Sequence, residues 1–234
     1  MSKRISIAID GPAGAGKTTI AREVARRLGY KYVDTGAMYR AVAWKSLQLG
    51  IPLSHKDAIV EMTGKMGIDF PEGDGSRIFV DGVDVSKEIR TPESTRLSSP
   101  VSAISGVRRR LVAQQQRLAR EGGVVMEGRD IGSVVLPNAE VKVFLTASVE
   151  ERARRRFAEM NAAGMKIDIE TLKREIEERD HRDSTRSDSP LTRVSDAVEI
   201  NTDELSIEQV VGCVLDLARR KLDETREAEC SSTE

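Results

Sequence analysis

Cysteine is almost missing from this chain: Cys213 and Cys230 are the only two in 234 residues. That scarcity excludes a disulfide framework and a cysteine-held metal cluster. Cys213 falls in a helical apolar pattern and is expected as a small core residue, while Cys230 sits in a polar tail. Histidine is equally scarce, and His55 and His181 are both read as structural rather than catalytic. Charge of one sign is lacking too. With 37 basic and 38 acidic residues the net charge is −1, so no global field draws the chain to nucleic acid or anionic lipid. No apolar run approaches membrane-spanning length, and no apolar signal region precedes the first expected strand. The expectation is a cytoplasmic protein, with a monomer as the default.

What is present begins with Gly11-Pro12-Ala13-Gly14-Ala15-Gly16-Lys17-Thr18, directly behind the apolar run 5–9. The spacing is G-x-x-x-x-G-K-[ST], a phosphate-binding loop between a strand and a helix. Its glycines permit positive φ, and its N–H groups with the helix N-terminus form a nest for polyphosphate. Lys17 reaches the outer phosphates, the Thr18 hydroxyl takes one position on Mg²⁺, and Thr19 follows in the first helical turn. A nucleoside triphosphate with Mg²⁺ is therefore expected here.

Alternating patterns place strands at 5–10, 32–34, 124–126, 141–145 and 197–200. Helices are expected at about 17–28, 35–47, 54–66, 105–121, 148–163, 169–182 and 206–222, with Thr35, Ser54 and Ser206 as caps and Gly29 as a stop. Short alternating runs between 67 and 92, with turn signals at Gly73-Asp74-Gly75 and Asp81-Gly82, read as a small antiparallel insert. The fold class is α/β, a mostly parallel sheet with helices on both faces. The tail 223–234 is polar and expected to fray.

Further absences narrow the chemistry. There is no guanine-reading Asn-Lys-x-Asp, no Leu-Ser-Gly-Gly-Gln, and no strand ending in an Asp-Glu pair. Arginine is plentiful instead, beyond strand ends and along two charged helices. Moving a phosphoryl group to an anionic acceptor is mostly positioning and charge neutralisation, which suits arginine. Arg40, one turn past Gly36, can grip an acceptor phosphate beside the Thr35 hydroxyl. Arg129-Asp130 follows a buried strand, where open α/β sheets place ligands, and Asp130 can accept from an amino group on a base edge. Arg179, Asp183 and Arg186 share a helical face if that helix persists. Arg152, Arg155 and Arg156 lie on the helix before it, and the pair of helices suits a lid.

Together, the loop, Asp34-Thr35-Gly36-x-x-Tyr39-Arg40, Glu127-Gly128-Arg129-Asp130-Ile131-Gly132 and Glu178-Arg179-Asp180-x-x-Asp183-x-x-Arg186 closely resemble the bacterial cytidylate kinases, over about residues 5–222. That resemblance implies a P-loop nucleoside monophosphate kinase fold and Mg²⁺-dependent transfer of the ATP γ-phosphate to CMP or dCMP. It implies one kinase domain, 1–222, with a core at 1–34, 122–148 and 195–222. A monophosphate-binding region would span 35–121 and a lid 149–186. Carried over, Arg40 and Arg129 would bind the acceptor phosphate near Thr35, while Ser99, Arg108 and Asp130 would read cytosine. Arg179 and Asp183 would hold the sugar, and Arg186 would lie by the transferred phosphate. Lys17, Arg129 and Arg186 would be catalytic, and Gly11 to Thr19 would hold ATP with a lid arginine, one of Arg152, Arg155 and Arg156, of which Arg155 is taken. A same-fold kinase acting on UMP and a regulatory P-loop ATPase are the alternatives.

Overall fold

The β-branched run ahead of the glycine loop forms β1 (Ser6–Asp10) in the computed structural model, which describes residues 4–71, 77–162, 164–165 and 167–231. Ile7 and Ile9 face one side of this strand and Ala8 the other, the two-residue period of a pleat. Beside it lie β2 (Lys31–Asp34), β6 (Val124–Gly128), β7 (Val141–Thr146) and β8 (Val198–Asn201). All pairings are parallel, in the order β2-β6-β1-β7-β8. β1 is therefore central, and the sheet is buried on both sides as parallel sheets require.

On one face α1 (Lys17–Leu28) and α8 (Ile207–Ser231) bury Ile20, Val24, Val210 and Val214. On the other, α2 (Thr35–Gln48), α3 (Lys56–Lys65), α4 (Pro92–Ser102) and α5 (Ser105–Leu118) bury Met38, Val42, Ile59, Val101 and Leu111. The small insert is β3 (Ile68–Asp69), β4 (Phe79–Val80) and β5 (Val83–Asp84), paired antiparallel. Asp81 at φ 52° and Gly82 at φ 80° make the two-residue turn that matches the twist of a hairpin. The expected turn at Gly73-Asp74-Gly75 lies outside the described residues. α6 (Val149–Ala162) and α7 (Ile169–Thr185) carry their own cluster of Ala153, Leu172 and Ile176.

The structure departs from expectation in several places. Asp34, not Thr35, caps α2: it ends β2 in extended geometry and its carboxylate accepts from the Ala37 N–H at 2.9 Å. α3 starts at Lys56 after His55, so Ser54 is not its cap. Cys213 is exposed, because α8 buries Val210, Val211, Val214 and Leu215 and turns position 213 outward. α8 also continues past Leu222 to Ser231. α4 was not expected at all. Gly29 does stop α1 at φ 64°, and Ser206 and Gln209 form a reciprocal capping box at the head of α8. Among the described residues no helix is long and apolar enough to cross a membrane.

Candidate active site

Gly11 leaves β1 at φ 146°, and a Cβ there would stand 2.1 Å from the Leu145 carbonyl oxygen. Only glycine fits so close to the neighbouring strand. Gly14 and Gly16 follow at φ 81° and 87°, the latter as the residue from which α1 springs. Thr18 and Thr19 are exposed at the helix head. Lys17 is buried, and its ammonium donates to the Pro12 carbonyl at 2.6 Å. Burial, then the field of Arg129, push its pKa well down, while Glu127 and Asp10 oppose them.

Across the cleft the arginines are held by aspartates. Arg40 donates to Asp34 at 2.8 Å, and Arg129 donates through Nε to Asp183 at 2.9 Å. Arg179 lies 4.0 Å from that same Asp183 carboxylate. Arg108 pairs with Asp130, both almost fully buried, and its guanidinium rests over the Tyr39 ring at 5.6 Å. Arg186 lies 3.9 Å from the other Asp130 oxygen. It occupies the residue after α7, in extended geometry, so it reaches the cluster from the chain leaving the helix and not from the helical face. Burial pushes the Asp183 pKa up, but Arg129, Arg179 and Arg186 outweigh it and hold the carboxyl below its ordinary value. Arg40 Nε, Arg108 Nε and Arg186 Nη2 are buried with no hydrogen-bond partner. Buried donors of this kind are costly unless something accepts from them.

Thr35 is buried and donates its hydroxyl to the Glu127 carbonyl at 2.7 Å, which locks the start of α2 onto β6. Ser99 is half-buried on α4, one turn before Ser102, whose carbonyl accepts from Arg108 at 3.3 Å. Arg155 is turned to the loop after β8, donating to the Thr202 carbonyl at 2.6 Å and hydroxyl at 3.1 Å. His55 and His181 are exposed, outside this cluster.

Two residues here had no assigned role in the sequence, and a third, Arg152, stood there as one of three lid arginines. Asp10 accepts from the N–H groups of Ile131 and Gly132 at 2.9 and 2.8 Å, tying the end of β1 to the turn that follows Arg129-Asp130. Burial raises its carboxyl to about 6 against those two bonds. Glu127, next to last in β6 and beside Ile9 of the loop strand, receives the Tyr32 hydroxyl and is pushed up by burial and then by Asp34. An acid ending an apolar strand was the available signal for it. Arg152, grouped with its neighbours in the sequence, is the buried one and donates to the Ala13 carbonyl of the loop at 3.2 Å. For a hard cation the residues at hand are oxygen donors, the Thr18 hydroxyl and the Glu127 carboxylate, and the field of that hydroxyl at the Glu127 carboxyl links the two. Among the described residues no group of three or more His, Cys, Asp or Glu could hold a metal alone.

A glycine loop at the head of a central parallel strand, with arginines held by aspartates across from it, defines a P-loop protein of the kinase-like α/β class. A solved structure of an uncharacterized protein from Eubacterium ventriosum shares the fold, at TM-score 0.52 and 11% identity over 93% of this chain and 99% of that one. The chain belongs to the cytidylate kinase family, whose profile matches residues 7–220. The cytidylate kinase of Desulfitobacterium hafniense is 48% identical over 95% of this chain and 96% of its own length. That of Pediococcus pentosaceus is 52% identical over 92% and 96%.

Proposed function

We propose that the chain transfers the γ-phosphoryl group of ATP to CMP or dCMP by direct in-line displacement, with Mg²⁺ and no covalent enzyme intermediate. It is a nucleoside monophosphate kinase of the cytidylate kinase family. The observation that carries the site assignment is the set of buried N–H donors without a hydrogen-bond partner: two, on Arg108 and Arg186, belong to side chains at the Asp130 carboxylate, and a third, on Arg40, to the side chain held by Asp34. An anionic acceptor supplies the missing oxygens, and an amino-bearing base supplies the donor that Asp130 can receive.

In this reading Gly11 to Thr19 cradle the triphosphate, with Lys17 beside its outer phosphates and Arg155 at the donor end. Arg40 and Arg129 bind the acceptor phosphate, and Thr35 fixes the helix that carries Arg40. Ser99, Arg108 and Asp130 read the base, and Arg179 and Asp183 hold the sugar. Lys17, Arg129 and Arg186 offset the charge that develops during transfer. A phosphate oxygen is already nucleophilic near neutral pH, so no general base is needed. Thr18 and Glu127 would hold Mg²⁺, which when bound offsets phosphate charge. Residues 1–222 act as one unit, 35–121 as the acceptor-binding region and 149–186 as the lid. The reading includes a cytoplasmic monomer acting on soluble nucleotides.

The test is a coupled assay of ADP release across CMP, dCMP, UMP, AMP and dTMP. CMP and dCMP are expected to lead. Preference for AMP or dTMP overturns the acceptor assignment, and UMP in first place replaces it with the uridylate reading. ADP release that no nucleotide accelerates points to a regulatory ATPase.

A further inference from the structure

The two halves of the site are joined through one buried side chain. Arg152, on α6, is only 5% exposed along its side chain. Its Nε donates to the Ala147 and Ser148 carbonyls at 3.0 and 3.3 Å, which fixes its stem at the end of β7. Its Nη1 reaches the Ala13 carbonyl at 3.2 Å and the Asp180 carboxylate at 2.7 Å. Gly14 leaves room for that stem, since a Cβ there would lie 3.2 Å from Arg152 Cβ. Asp180 belongs to α7, the helix that presents Arg179 and Asp183 to the acceptor side, where Asp183 holds Arg129. α7 is thus anchored at two points. Asp183 ties it to the turn after β6, and Asp180 ties it through Arg152 to the glycine loop.

Such a geometry has a thermodynamic consequence. Movement of α7 on acceptor binding changes the Asp180–Arg152 pair, and Arg152 lies against the loop backbone that cradles the donor. A close ion pair with its arginine buried is strong enough to transmit that displacement. We propose that Asp180 is a positioning residue which, through Arg152, couples acceptor binding on α7 to the conformation of the donor loop. It touches neither nucleotide. The proposal rests on the two-substrate reading above, and by linkage the coupling is reciprocal: each nucleotide tightens the other by the same factor.

Calorimetry with ADP and CMP, a pair that cannot react, measures this directly. In the wild-type chain saturating CMP is expected to tighten ADP about fivefold or more. In Asp180→Asn that factor should fall to within about twofold of one, while each nucleotide alone binds within about threefold of wild type. Asn keeps the shape and one acceptor, so the fold is retained. As a second check, Arg152→Gln should lose the coupling too, and adding Asp180→Asn to it should remove no more. Full coupling in Asp180→Asn overturns the proposal. So does a wild-type factor of one, or a loss confined to CMP binding alone, which would make Asp180 an acceptor contact. Failure of the functional reading shows separately, as wild-type protein that releases no ADP when given ATP and CMP.

Discussion

Arg129 leads into the turn to which Asp10 is hydrogen-bonded, and each makes a prediction of its own. Arg129→Ala removes a cation proposed to touch a phosphate whose charge changes during transfer. It also leaves Asp183 with Arg179 at 4.0 Å. The CMP KM should rise and kcat should fall, with about 10²-fold or more lost in kcat/KM; unchanged kinetics remove Arg129 from the site. Asp10 gives a pH signature. Burial raises its carboxyl from 3.8 to about 6, so the folded state takes up a proton that the unfolded state still lacks. Its contribution to stability is full below pH 3.8 and is lost as pH rises through 6. Wild type should therefore gain on Asp10→Asn by about 1 kcal/mol between pH 8 and pH 5, and by about 3 kcal/mol at the acid limit. Urea titrations of both proteins across that range measure it. A difference that does not vary with pH shows that Asp10 ionises normally.

At the scale of elements, what could be read in the sequence depended on how local the cause was. The loop, the hairpin turn at Asp81-Gly82 and the stop at Gly29 follow from single glycines needing positive φ, and each lies where expected. α4 escaped notice because its residues are serine-rich, carry Pro100 inside the helix, and bury little beyond Ser94 and Val101. Nothing periodic marks it, and contacts to α2 and α5 fix it instead. The cap of α2 was misread by one residue because Asp34 and Thr35 are both good caps, and only the end of β2 decides between them. Asp34 carries two duties that substitution separates, capping α2 and pairing with Arg40. Asp34→Ala should cost about 1 kcal/mol and raise the CMP KM. Asp34→Asn restores the cap but not the charge, so its melting temperature should return while its KM stays high. If both recover together, the pairing with Arg40 has no part in acceptor binding.

Over the whole molecule, site residues inside contiguous motifs were legible, and those defined only by a distant partner were not. Arg40, Arg129 and Asp183 stand in recognisable runs. The place of Arg152 depends on Ala13 and Asp180, and the role of Asp10 on two backbone groups beyond β6, so folding alone brings those partners together. The same contrast bears on where the catalytic unit ends. α8 runs to Ser231, yet among the described residues the last one buried in the core is Ala218, with Leu222 packed against it. The helix beyond is exposed at Asp223, Glu224 and Glu227 and half-buried at Thr225, and Lys221–Glu224 is an exposed pair of small worth. A chain ended after Leu222 should fold, melt within about 2–4 °C of full length, and keep its kcat and both nucleotide KM values. A much larger fall in melting temperature, with kinetics intact, makes residues 223–234 part of the folding unit. Altered nucleotide KM values in a stable truncated chain bring them into the working of the site, and then residues 1–222 are not the whole kinase.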